Sequence, residues 1–159
     1  MVMRRALLLI LPVALLTLGA CGARPQAVEP WAGEMLDAVN ASRAQAGAPP
    51  LQLCGTLQAA AQGHSDFQAS ASRMTHTGWG GTTMKQRAEN AGYRGWAALA
   101  ENVAAGSPDV GSVMGSWLRS SGHRTNLLNP NYQHVGFGLA RGADGTPYWT
   151  QDFGRSGSC

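Results

Sequence analysis

The first 21 residues constrain everything after them, because they decide where the chain must fold. Arg4 and Arg5 open it, an apolar stretch from Ala6 to Leu18 follows with only Pro12 and Thr17 interrupting, and Gly19-Ala20-Cys21 closes it with small residues. A positive start, a short apolar stretch and small residues at the end make an export signal. The apolar stretch is 13 residues long, too short for a bilayer, which needs about 20. Removing residues 1–20 leaves 139 residues to fold after export. That is one domain, long enough to bury roughly two-thirds of its unfolded surface.

Leu18-Gly19-Ala20-Cys21 also resembles a bacterial lipobox. In such signals the cysteine thiol is acylated and the chain is cut just before it. The resemblance implies an extracytoplasmic lipoprotein anchored to a membrane through Cys21, with residues 21–29 as a polar tether and residues 30–159 as the folded domain. The plain alternative is an ordinary cleaved signal with Cys21 incidental. Lipidation of Cys21 leaves Cys54 and Cys159, and an oxidising compartment favours a disulfide between them over two buried thiols. Closing a loop of about 100 residues contributes on the order of 4.7 kcal/mol through chain entropy.

The formal charge of +3 is largely a property of the export segment. Without Arg4 and Arg5, ten basic residues face nine acidic ones, and no Lys/Arg cluster appears. A nucleic-acid surface needs a clustered basic face, so that class of partner is excluded.

Helical spacing of Trp31, Met35, Val39 and Ala46 predicts a first helix from Pro30, stopped by Gly47 and Pro49-Pro50. A second, from about Thr56 to Ala71, carries His64 on its apolar stripe of Leu57, Ala60, Ala61, Phe67 and Ala71. Residues 72–81 are a loop with His76 at its middle, and Thr83 with Gln86 form a capping-box spacing that opens a helix to about Ala91. Residues 101–104 are expected to be extended. Ser107-Pro108-Asp109 reads as a helix start with Ser107 as cap. That helix is expected to end at Gly122, leaving His123 just past its end and residues 124–133 as loop. Val135, Phe137 and Leu139 alternate as a strand, residues 142–145 turn, and Tyr148 to Phe153 returns as its antiparallel partner. Helices with a small antiparallel sheet make an α+β domain, in three layers.

The segments AAAQGHSDF (59–67), MTHTG (74–78), QRAENAGY (86–93), AENVAAG (100–106), SWLRSSGHRTNLLNPNYQHVGFG (116–138) and WTQDFG (149–154) together resemble the bacterial branch of the CAP superfamily. This superfamily takes in cysteine-rich secretory, antigen 5 and pathogenesis-related proteins. The resemblance covers residues 31–154 and implies an α-β-α sandwich around a small, mainly antiparallel sheet. It also implies a cleft lined by two histidines and a glutamate: His76, Glu101 and His123, with His64 in the bacterial pattern. The second glutamate of many eukaryotic members has no match, since its place falls near Ser120.

Two imidazoles beside a carboxylate suit a weak divalent-cation site with His76 and His123 as ligands, zinc first on ligand type. No HExxH or CxxC spacing supports a firm one. Taken singly, His76 reads as a loop histidine bonded to backbone, His123 as a histidine at a helix C-terminus, and His64 as a satisfied core histidine. Asn102, Arg124 and Asn126 read as loop braces, Trp31, Trp117 and Trp149 as core or cleft wall. Trp79 and Trp96 sit in glycine-rich loops, where an indole covers the core or grips a partner.

Three functions compete. The first is a lipid-anchored binding module for a small molecule, lipid, glycan or peptide. The second is a metal-assisted hydrolase in which Glu101 is base to a water held by His76 and His123. The third is a structural envelope protein with an inert cleft. Ser65, Ser120 and Ser121 lie near the motifs, but no nucleophile elbow is present. One carboxylate serves poorly for both water activation and amine departure, so the binding module is favoured and robust peptidase activity is not expected.

Overall fold

The computed structural model describes residues 30–159. The export segment, Cys21 and the tether lie outside the described residues. Helix α1 (Pro30–Gln45) turns Ala32, Met35, Val39 and Arg43 inward, a stripe at helical spacing, and Gly47 ends it at φ +72°. Strand β1 (Gln52–Leu53) is a two-residue strand that the sequence pattern did not announce. Helix α2 (Gly55–Ser70) and helix α3 (Met84–Asn90) follow; Thr83 and Gln86 make the capping box in full. Strand β2 (Ala98–Ala105) contains the extended segment expected at 101–104.

Two expectations about the next stretch are corrected. Asp109, not Ser107, caps helix α4 (Val110–Arg119), its carboxylate accepting from the Ser112 N–H at 2.7 Å. Gly122 does not stop the chain's helical course. Ser120, extended at φ −84° and ψ 121°, ends α4 and caps helix α5 (Ser121–Leu128). Residues 124–128 are therefore helical, and His123 lies in a first turn, not beyond a last one. A glycine costs a helix about 1 kcal/mol, which the burial of Leu127 in the core offsets. Strands β3 (His134–Arg141) and β4 (Pro147–Arg155) form the expected hairpin.

The four strands lie in the order β1-β3-β4-β2, antiparallel except for β1 against β3. This is the α+β, three-layer sandwich expected: α1, α4 and α5 cover one face, α2 and α3 the other. The first face holds Met35, Val39, Val113, Trp117, Phe137, Trp149 and Phe153 in one apolar core. Arg43 is buried inside that layer, with no acidic partner among the described residues. Its guanidinium donates to the carbonyls of Pro49, Leu127 and Asn129 at 2.8–2.9 Å, tying α1 to the C-terminal end of α5.

The second face is built on close backbone approach. A Cβ at Gly136 or Gly138 would stand 2.1–2.2 Å from the α2 backbone at Leu57 and Ala61. Past β1 the outer edge of β3 has no strand partner, and α2 supplies one. Gln58 and Gln62 accept from the Phe137 and Leu139 N–H groups at 3.0 and 3.2 Å, satisfying an edge that would otherwise invite pairing. Cys54, at the N-terminus of α2, is joined to Cys159 across 105 residues, with Cα atoms 5.2 Å apart.

Candidate functional site

β2 is the free edge of the sheet, and its alternation sends Glu101 to the α2 face and Asn102 to the α5 face. The Glu101 side chain is only 4% exposed. Its Oε1 accepts from His76 Nδ1 at 2.8 Å, and its Oε2 accepts from Arg87 on α3. His76 is 61% exposed. Since Nδ1–H faces the carboxylate, Nε2 is the atom turned to solvent.

The loop that carries His76 is fixed from two sides. Gln68 and His64 on α2 hold the Thr75 N–H at 3.1 Å and the Thr75 carbonyl at 2.7 Å. Arg87 donates to the carbonyls of His76 and Thr82 at 3.1 and 3.0 Å, closing the loop on itself. Gln68 and Ser65 are anchored in turn on Thr150 of β4.

The charges follow from these contacts. The hydrogen bond to Glu101 raises the His76 pKa, outweighing partial burial. Burial works against the Glu101 anion, but His76, Arg87 and His64 together hold its carboxyl below the usual range. Burial lowers His64, and burial followed by the neighbouring His76 lowers His123.

His76 and Glu101 are in direct contact, whereas His123 sits on α5 and makes no hydrogen bond to either of them among the described residues. His64 does not line a cleft: it is fully buried, and its work is to hold Thr75. His123 is placed by its carbonyl, which accepts from Asn102 at 3.1 Å; Asn102 is itself held by Asn126 and Gln151 at 3.0 Å. Asn102 and Asn126 are thus the braces expected, and Arg124 reaches the Leu118 carbonyl at 3.3 Å. Among the described residues no three His, Cys, Asp or Glu side chains gather as a metal-ligand set. Grooves of 490 and 390 Å³ lie elsewhere, around Pro49, Tyr132 and Arg155 and around Arg124 and Leu128, and neither reaches His76 or His123. The His76 side chain is open to solvent; Met74 and Trp79, near it in sequence, are also exposed, and the Trp79 ring meets Phe67 edge-on at 4.9 Å.

Residues 36–153 match the cysteine-rich secretory protein family, CAP. The chain belongs to the CAP family. YkwD, an uncharacterised protein of Bacillus subtilis (strain 168), is 29% identical over 131 residues, which span 81% of this chain and 49% of YkwD. The chain thus covers about half the length of that relative. The crystal structure of an extracellular protein containing an SCP domain from Bacillus anthracis str. Ames superposes with a TM-score of 0.68 at 27% identity, over 78% of this chain and 40% of the other. An outer surface protein of Borrelia burgdorferi shares the fold, with a TM-score of 0.71 at 22% identity over 77% of this chain and 90% of its own. No helix among the described residues is long and apolar enough to cross a membrane.

Two residues of this CAP domain's polar cluster escaped the sequence reading: Arg87 and Asp152. Both lie inside segments that carry the family resemblance, QRAENAGY and WTQDFG. The available signal for Asp152 was an acidic residue inside the strand expected from Tyr148 to Phe153, since such a group is almost never buried without a reason.

Proposed function

We propose that this CAP domain is an exported, lipid-anchored binding module whose working group is His76, oriented by Glu101. The observation that carries the reading is the pairing of a buried carboxylate with the Nδ1 of an exposed imidazole at 2.8 Å. A carboxylate in that position fixes tautomer and ring orientation and makes Nε2 the more basic atom. The exposed Nε2 suits a small-molecule, lipid, glycan or peptide ligand bearing a hydrogen-bond donor. A divalent cation, zinc first, would be held by the two imidazoles and completed by water or ligand, a weak and exchangeable arrangement.

The geometry changes the terms of the hydrolase alternative. Glu101 is committed to His76 and Arg87 and is shielded from solvent, so it is badly placed as base to a water. Hydrolysis would have to use His76 Nε2. Calorimetric titration of zinc into the full-length protein and into a His76→Ala/His123→Ala variant tests the binding reading. Binding lost in the double variant supports it, and equal binding by both refutes it. Acylation of Cys21 is checked by mass spectrometry of the protein from a native-type host, where an unmodified N-terminus downstream of Cys21 removes the anchor.

A further inference from the structure

A second carboxylate stands beside Glu101 on a different strand. Glu101 of β2 and Asp152 of β4 are direct register partners, so their Cβ atoms stand about 4.5–5.5 Å apart on one face. Asp152 is fully buried, and among the described residues no N–H or O–H donor reaches either of its oxygens. Both side chains are buried on the same face of the sheet, Asp152 directly opposite Glu101. The donors all go to the other partner: Glu101 takes His76 from the loop and Arg87 from α3, with His64 of α2 at 3.9 Å. Two buried carboxylates on directly paired residues, one of them with no donor at all, cannot both stay ionised at low cost. One proton between them removes both the repulsion and the unsatisfied oxygens.

We propose that Asp152 is a neutral carboxylic acid donating its proton to Glu101, so that the pair carries one negative charge and Glu101 is held as the anion that orients His76. Asp152 is then a positioning residue acting through Glu101, and the inference rests on the His76 reading only for what that anion does. Burial and the Glu101 charge both push the Asp152 carboxyl well above its usual range, with Arg87 offsetting part of this.

Infrared spectroscopy of the ligand-free, full-length protein tests it. At neutral pH the wild type should show the C=O band of a buried protonated carboxyl, and Asp152→Asn should lose it. Asn keeps a donor toward Glu101, so the His76 Nδ1–H resonance should stay in place in Asp152→Asn and move in Asp152→Leu, which has the bulk but no donor. A raised folded pKa means that the Asp152 contribution is complete below its ordinary 3.8 and is lost as pH rises from there through the raised value; Asp152→Asn should therefore gain stability over wild type progressively above that ordinary value, neutral pH included. Absence of the band in wild type, its persistence in Asp152→Asn, or an unmoved His76 resonance in a folded Leu variant overturns the proposal. If the Leu variant does not fold, the band and the Asn variant still decide. None of these readouts involves a ligand or metal, so a failure of the binding reading leaves them unchanged.

Discussion

The two faces of the sheet are packed by opposite means. Against α1, α4 and α5 the contact is bulk: indole, phenyl and branched side chains fill a continuous apolar layer. Against α2 the sheet gives up side chains altogether at Gly136 and Gly138, and backbone meets backbone. Beside a small apolar cluster of Leu57, Ala88 and Tyr93, that face buries polar groups: Ser65, Gln68, Thr150, Glu101 and Asp152. The first face contributes stability through area removed from water. The second has a smaller apolar cluster, and it holds a loop and a carboxylate in one fixed relation, which a binding site needs. Stability and site geometry are therefore separable by mutation, and the separation can be tested.

The largest effect should come from the apolar face. Trp117→Ala, removing a buried indole that also donates to the Val103 carbonyl, should cost about 3–5 kcal/mol in denaturant unfolding. In the fraction that stays folded, the His76 imidazole resonances should not move; if they do, the faces are not independent. Joint Cys54→Ser/Cys159→Ser substitution should cost about 2–5 kcal/mol, the chain-entropy figure being the upper end, again with the site unchanged.

Gly138→Ala sharpens the comparison from the other side. A methyl 2.2 Å from the Ala61 carbonyl oxygen forces α2 off the sheet, at a cost of about 1–3 kcal/mol. Because α2 carries His64 and Gln68, this variant should disturb the His76 loop as well as stability. A Gly138→Ala protein with wild-type His76 resonances would show that the loop is held some other way.

The smallest stability effect belongs to Glu101→Gln, where the change lies in titration. Losing the carboxylate lowers the His76 pKa, readable by NMR, and moves the pH midpoint of zinc binding downward with it. The sign of the wild-type pH profile follows from the same pair. His76 is raised, so its contribution is complete below its ordinary 6.5 and lost as pH climbs through the raised value. Glu101 is depressed, so its contribution is complete above its ordinary 4.5 and lost as pH falls through the lowered value. The pair should be strongest between those limits, and only modestly so, since the His76 side chain is more than half exposed and screened.

What the residues alone determined is what local chemistry controls: the stripe of α1, the capping box at Thr83, the alternation of β3 and the hairpin turn. The partner of Cys54 followed from cysteine count and compartment. His76 and Glu101 came from motif resemblance, 25 positions apart with no periodicity to link them. Only the tertiary structure decided the rest. A single extended residue at Ser120 restarts a helix where Gly122 suggested an end, because burying Leu127 outweighs a weak local preference. His64 turns from cleft to core because α2 lies flush on two glycines, leaving its imidazole no route to solvent. Arg87 and Asp152 join Glu101 from α3 and β4. A buried charge selects its neighbours through space, and strand register and helix packing, not sequence spacing, bring those neighbours together.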